Sequence, residues 1–337
     1  MPELRVAVLG GGSWGTTVAH MVARNRPTVL WARNLDTVEE VNAAHRNSRY
    51  LPGWDLHPEL RATADMGEAV ASADLVVVGV PTSAFRETAK AVAEHVRPWV
   101  PIVSLAKGFE EGSRLRMTQV VEEELPGHPT GVLTGPNLAK EIMAGQPAAA
   151  VLALSEQHVA SRIQPVFTTP WFRVFLHHDT IGCELGGALK NVYALAAGSA
   201  EGMGMGDNAR SALVTRGLAE MTELGVAMGG RPLTFAGLAG MGDLLATCVS
   251  PQSRNSRVGR ELGRGRRLDD ILAELGQVAE GVKASKVVMG LAAEYGVAMP
   301  IAAQVYAVCH EGRTVQWAAD WLLRGRIGHE AGVFRDH

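Results

Sequence analysis

Cysteine is scarce: three stand in 337 residues, Cys183, Cys248 and Cys309, far apart and without metal-ligand spacing. That excludes a disulfide framework and a structural zinc site, and it fits a reducing compartment. An excess of one charge is missing too. A formal net charge of -3 gives no reason to expect nucleic acid or an anionic membrane as partner. No uninterrupted apolar run approaches the ~20 residues of a bilayer span. A strand starting at Leu4 leaves no room for a signal peptide, so a cytoplasmic location is expected. What the chain does have is length for two cores, 47% hydrophobic and 20% charged residues, and a mean hydropathy near zero. It reads as a soluble, folded protein.

Residues 4–15 read LRVAVLGGGSWG, an apolar strand running straight into Gly10-x-Gly12-x-x-Gly15. Gly10 suits the tight turn, Gly12 the close approach of a pyrophosphate, and Gly15 the packing of the next helix on the strand. Bare N–H groups at that helix start face anionic phosphates. The pattern alone separates neither NAD, NADP and FAD, nor a ligand site from a plain glycine turn.

The first half alternates strands with helices. Strands are expected at Leu4–Leu9, Thr28–Ala32, Leu75–Val80, Ile102–Leu105, Gly131–Thr134, Ala148–Ala153 and Phe172–His177, and helices at 13–24, 35–45, 66–71, 84–96, 111–124 and 155–166. Several strands are continuous apolar runs, as in a parallel sheet covered on both faces. Residues 47–58 read as a loop around Leu51-Pro52-Gly53. Beyond about residue 180 the pattern turns helical, with Leu185, Leu189, Val192 and Ala196 at helical spacing and later helices at 208–228, 240–248, 268–275, 281–295, 299–311 and 314–323. The glycine-dense stretch 198–206 reads as a loop, and 327–337 as a tail of little apolar content. The expected plan is an α/β dinucleotide domain over 1–179 and an all-helical substrate and catalytic domain over 180–330, with the active site in a cleft between them.

The strand at 28–32 leads into Arg33, where an NAD site usually has an acid for the ribose 2′-hydroxyl. A guanidinium suits a 2′-phosphate, so NADP(H) is the preferred cofactor and NAD(H) a tolerated one; a solvated surface arginine is the plainer alternative. Pro81 fits a strand exit over the cofactor. Lys107, before Gly108, stands at the carboxyl end of a parallel strand, the ligand-bearing edge, though spacing alone also fits a surface lysine.

The segment 179–191 reads as a helix with too many glycines, each costing roughly 1 kcal/mol against alanine. Lys190 leans back over Gly186 and Gly187, which suggests a bare groove for a small molecule; close helix packing is the rival explanation. Partial desolvation would suit Lys190 to acid–base work. Asp243 and Thr247 share a helical face, and Asp243 is placed to pair with Lys190. Arg254, Asn255 and Arg257 suit a phosphate or carboxylate clamp, and equally an ordinary polar helix surface.

Taken together these segments resemble the bacterial NAD(P)-dependent sn-glycerol-3-phosphate dehydrogenases over nearly the whole chain. The likeness rests on GGGSWGT at 10–16, LWAR at 30–33, NxxYLPG at 47–53, KG at 107–108, GPNLAKE at 135–141, GCELGGALKNVYA at 182–194, LAGMGDLLATC at 238–248, SRNSRVG at 253–259 and EGV at 280–282. It implies a Rossmann-type, mostly parallel sheet domain and an all-helical C-terminal domain of the 6-phosphogluconate-dehydrogenase-like kind. It implies reversible reduction of dihydroxyacetone phosphate to sn-glycerol 3-phosphate, for phospholipid synthesis. In that reaction the lysines would polarise the carbonyl oxygen, so no metal is expected, and the helical half with its apolar C-terminal segment points to a homodimer. Lys190 would be the catalytic acid/base, Lys107 would contact substrate and cofactor, and Asp243 would orient Lys190. Gly135, Asn137, Asp243, Thr247, Ser253, Arg254 and Asn255 would line the substrate site. Gly10, Gly12, Ser13, Trp14, Gly15, Arg33, Tyr50, Pro81, Lys107, Ala139, Arg254, Val278 and Glu280 would fall to the cofactor. The chain departs from the family at Asn137, usually a small hydroxyl residue, and at Gly11, usually alanine. The rival enzyme reading is a β-hydroxyacid or 6-phosphogluconate-type oxidoreductase acting on a carboxylate. The non-enzyme reading, a nucleotide-sensing protein without turnover, requires Lys107, Lys190 or Asp243 to be missing, and all three are present.

Overall fold

The computed structural model describes residues 4–275 and 279–324. They form two compact units: the described residues up to Glu110 with Leu115–Thr180, and Glu111–Arg114 with the described residues from Ile181 on.

The first unit is one sheet with helices on both faces. Its strands are β1 (Val6–Leu9), β2 (Thr28–Trp31), β3 (Arg61–Thr63), β4 (Leu75–Val78), β5 (Ile102–Ser104), β6 (Thr130–Thr134), β7 (Ala148–Leu154) and β8 (Phe172–His177). They lie in the order β3-β2-β1-β4-β5-β6-β7-β8. Pairing is parallel from β3 to β6, antiparallel between β6 and β7, and parallel again between β7 and β8. The helices are α1 (Ser13–Ala23), α2 (Leu35–Ala44), α3 (Met66–Val70), α4 (Phe85–Ala93), α5 (Met117–Glu124), α6 (Ala139–Met143) and α7 (Gln157–Phe167). Successive strand residues serve opposite faces. Val6, Val8, Val77 and Val103 pack with α1, while Ala7, Leu9, Val76 and Val78 pack with Phe85, Val92 and Val121. Burial on both faces explains the unbroken apolar runs.

All seven expected strands form: β2, β4 and β5 end one or two residues early, β1 starts two residues late, β6 starts one residue early and β7 runs one residue longer. The expected extension of one strand to Val80 stops at Val78: the last ladder bond to β1 runs from Gly79 N–H to the Leu9 carbonyl at 2.7 Å, and β1 itself turns at Gly10, with φ +121°. The helix expected from 111 starts at Met117, since Glu110 bonds back to Leu115 and closes a tight loop first. The three-residue β3 and five-residue α6 are too short to leave a periodic signature.

The second unit comprises α8 (Thr180–Gly202), α9 (Asp207–Ala227), α10 (Pro232–Phe235), α11 (Asp243–Val249), α12 (Arg254–Gly263), α13 (Leu268–Leu275), α14 (Glu280–Tyr295), α15 (Pro300–His310) and α16 (Val315–Arg324). The segment Pro232–Val249 has the length and apolar content of a membrane span. It is folded instead as α10, a wide turn at Leu238–Gly242, and α11, with Asp243 buried inside it.

One expectation is overturned here. Residues 198–202 are not loop: α8 continues to Gly202. The glycines serve a helix crossing. A Cβ on Gly198 or Gly202 would lie within 3.0 Å of the Ser256 or Arg260 carbonyl oxygen. One on Gly259 or Gly263 would lie as close to the carbonyls of Leu195 or Ser199. Two Gly-x-x-x-Gly faces thus bring the backbones of α8 and α12 into contact, flanked by Arg260 to Glu201 at 3.0 Å.

Glu220 of α9 is a buried carboxylate, 4% exposed, at the start of α15. It accepts N–H bonds from Ile301 at 2.7 Å and Ala302 at 3.2 Å, and the Tyr193 hydroxyl at 3.1 Å. Burial outweighs these bonds and pushes its pKa up to about 7 from the usual 4.5. The folded chain therefore holds this proton where the unfolded chain has released it. Its contribution to stability is present below pH 4.5 and is lost as pH rises through 7, on the order of 3 kcal/mol in all. Urea titrations of the parent and Glu220→Gln from pH 5 to 8 are expected to show the parent losing ground to the variant with rising pH. Parallel stability curves would refute the assignment.

Candidate active site

The glycine turn after β1 has the backbone shape that a phosphate cradle needs. Gly10 has φ +121°, and a Cβ there would lie 2.7 Å from the Gly79 oxygen. A Cβ on Gly15 would strike the Gly10 carbonyl, so α1 sits directly on the turn. Gly12 has open space above it, and the first turn of α1 carries neither a side-chain cap nor an acid. Its N–H groups are left for an anion. Gly11 also finds its reason: a Cβ would lie 2.8 Å from the Ala32 Cβ.

The loop after α2 is clamped to this turn. Asn47 donates to the Gly11 carbonyl and to the Thr16 hydroxyl, each at 2.9 Å, and Ser13 Oγ donates to the Tyr50 carbonyl at 3.0 Å. Arg33, past the end of β2, is exposed and makes no ion pair among the described residues. Pro81 is exposed past β4, and Ala139 opens α6. At the exits of β5 and β6, Lys107 Nζ donates to the Gly135 carbonyl at 2.8 Å. Gly135 has φ +135°, with Ala150 Cα 3.1 Å from where a Cβ would sit.

Four polar groups on this edge are buried without a protein partner: Trp14 Nε1, Thr134 Oγ1 and both amide atoms of Asn137. Leaving such a group unpaired costs about 1–3 kcal/mol. A ligand with complementary donors and acceptors removes that cost, so the residues fit a polar dinucleotide and a hydroxylated substrate.

The helical unit carries a second constellation. Lys190, 6% exposed, donates from Nζ to Asp243 Oδ1 and to Thr247 Oγ1, the latter at 2.7 Å. The Thr247 hydroxyl donates its own hydrogen bond to the Asp243 backbone carbonyl at 2.6 Å, so its oxygen is oriented as an acceptor for the lysine. Asp243 is 1% exposed. The expected bare groove at Gly186 is not there. A Cβ on Gly186 would fall within 3.0 Å of the Ala239 oxygen, because the wide turn packs against it. That turn, closed by Gly242 N–H to Gly237 at 3.0 Å, delivers Asp243 to the lysine.

At the start of α12, Ser253 Oγ accepts from Ser256 N–H at 3.2 Å and so acts as a helix cap. Arg254 is exposed, one residue further on. Asn255 is buried and partly committed: its amide donates to Asn191 at 3.0 Å and accepts from Gly281 N–H at 2.9 Å. One of its N–H donors remains for other use. Val278 lies outside the described residues.

These motifs coincide with known families. The N-terminal model of NAD-dependent glycerol-3-phosphate dehydrogenase matches residues 5–160, and the C-terminal model matches 179–320. The chain belongs to this family. A relative from Sphingopyxis alaskensis, named as a glycerol-3-phosphate dehydrogenase of the NAD(P)+ type, is 56% identical over 98% of this chain and 99% of its own. One of the same name from Mycobacterium avium is 53% identical over 98% and 97%. A crystal structure of glycerol-3-phosphate dehydrogenase from Coxiella burnetii superposes with TM-score 0.91 at 36% identity, covering 96% of this chain and 99% of that one.

Within this glycerol-3-phosphate dehydrogenase fold, sequence reasoning left Asn191 without a role. It stands beside Lys190 on α8 and joins Asn255 to Glu280, its Nδ2 reaching Glu280 Oε2 at 3.4 Å. A polar residue amid the apolar run ALKNVYAL was the available signal. Cys248 and Cys309 are poor candidates for reactive groups. Burial pushes the thiols of Cys248 and Cys309 up to about 12.

Proposed function

We propose that this chain reduces dihydroxyacetone phosphate reversibly to sn-glycerol 3-phosphate, with NADP(H) preferred over NAD(H). The reading is carried by one observation: a buried lysine ammonium held by a carboxylate and a hydroxyl in the helical unit. When bound, the nicotinamide supplies a hydride to the substrate's carbonyl carbon. Negative charge then grows on the carbonyl oxygen. Lys190 stabilises it from Nζ and gives up a proton there, and the neutral amine regains one from solvent. Asp243 and Thr247 hold the ammonium in one place, which spares its reorganisation in the transition state. Lys107 adds a second positive field, and Asn137 supplies donor and acceptor to the substrate hydroxyl. Arg254 and Asn255 take the phosphate, whose binding energy positions the carbonyl.

Ser13, Trp14 and the N-terminus of α1 would receive the cofactor's phosphates. Arg33 would read the 2′-phosphate, with Tyr50, Pro81, Ala139 and Glu280 as further contacts. The test is a steady-state assay with dihydroxyacetone phosphate and each reduced nicotinamide in turn. Small 3-oxo acids turned over faster than dihydroxyacetone phosphate would overturn the substrate assignment. Arg33→Ala is expected to lower the NADPH over NADH preference in kcat/KM about tenfold, the loss of one charged hydrogen-bond pair. An unchanged ratio would remove Arg33 from the role. A cytoplasmic homodimer belongs to the same proposal. Three free cysteines and exposed Trp317, Trp321 and Leu323 on α16 support it, and sedimentation as a monomer at assay concentration would count against it.

A further inference from the structure

Arg86 lies outside every motif discussed so far. It stands at the start of α4 with its side chain mostly covered, and it gathers three carboxylates. Its Nε and one terminal nitrogen fork onto Glu110, each bond 2.7 Å. The other terminal nitrogen meets Glu124 at 2.5 Å and Glu123 at 2.7 Å, both at the end of α5. These acids hold the guanidinium charged far above its usual range.

Glu110 comes three residues after Lys107. Upstream, the segment is fixed where Leu105 N–H bonds the Val78 carbonyl at 2.9 Å. Downstream, Phe109 is buried and pairs with Arg116, and Glu110 is fastened by the fork. Lys107 is therefore suspended between two anchors, with its ammonium on the Gly135 carbonyl. Take the guanidinium away and Glu110, Glu123 and Glu124 repel one another, and the two-bond fork on the Glu110 carboxylate is lost. A lysine at 86 restores the charge but not the planar fork.

We propose that Arg86 is a positioning residue of the reaction, setting the place of the Lys107 ammonium through Glu110. This rests on the reading that Lys107 acts on the substrate. The test is a double-mutant cycle in the full chain. Arg86→Met is expected to lower kcat/KM about tenfold, with kcat falling more than KM rises, in keeping with the sensitivity of rates to displaced groups. Arg86→Lys should recover part of the loss. Glu110→Gln, which preserves shape, should lower kcat/KM in the same direction and covers the case in which Arg86→Met does not fold. On a Lys107→Met background each change should have almost no further effect, because the group being positioned is gone. Equal fold-losses with and without Lys107 would overturn the proposal, as would parent kinetics in folded Arg86→Met. Parent activity in Lys107→Met alone would instead remove the role of Lys107, and this inference with it.

Discussion

Lys190→Ala is expected to lose about a hundred- to ten-thousand-fold in kcat, the range set by removing a general acid, while cofactor binding persists. The argument is local. The ammonium is buried and directed by two acceptors, Asp243 and Thr247, so its position does not depend on a mobile chain. Removing it does two things. In the proposed reaction the developing oxyanion loses its proton donor, and Asp243 is left as a buried carboxylate without the Lys190 cation. Breaking a buried pair from one side costs about 3–5 kcal/mol of stability, so lost activity could be mistaken for lost fold. Thermal unfolding and nicotinamide titration on the same sample separate the two. Asp243→Asn is the companion: it keeps the ammonium and a hydrogen-bond acceptor, so a smaller loss in kcat is expected. Turnover of Lys190→Ala within a few-fold of the parent would remove the assignment.

The parts legible in the sequence are those where one residue type has one physical use. Gly10 and Gly15 follow a strand and precede a helix, and there a Cβ meets backbone. The valine-rich runs read as covered parallel strands because burial on both faces leaves no alternation. Lys190 and Asp243 lie far apart in sequence, yet each stood out as a charge in an apolar, glycine-spaced helix, and the fold brings them together. Glycine failed as a signal where its two uses look alike. GSAEGMGMG has the composition of a loop, but its first half is a helix whose missing side chains admit another helix. Gly186 failed for the same reason: the room it makes is taken by the Ala239 backbone rather than left for a ligand. Periodicity cannot say what fills a gap. Arg86 was invisible for a different reason, since its three partners are set by tertiary placement and an arginine on a helix reads as ordinary surface.

Gly198→Val is expected to be strongly damaging although it lies away from Lys190 and Asp243. Its Cβ would fall inside 3.0 Å of the Ser256 carbonyl and close to Arg260 N, both rigid helix backbone with no side chain to swing aside. Relief requires α8 and α12 to separate. Forcing extra carbon into a packed contact costs about 1–3 kcal/mol, and this contact has backbone on both sides, which places it at the upper end. The separation also reaches the site. Asn191 on α8 and Asn255 on α12 meet at 3.0 Å, and Arg254 precedes Asn255, so the end of α12 proposed to bind the phosphate moves away from the helix that carries Lys190. Folded Gly198→Val should therefore show a raised KM for dihydroxyacetone phosphate along with a lower unfolding midpoint. Gly206→Ala is the control from the same glycine-dense stretch. Its backbone is extended, nothing lies within 4 Å of its Cβ, and only a helix-cap preference of about 1 kcal/mol is at stake. If both variants unfolded at the same urea concentration, glycine at 198 would be a matter of chain flexibility and not of helix contact, and the account of how α12 is placed would fail.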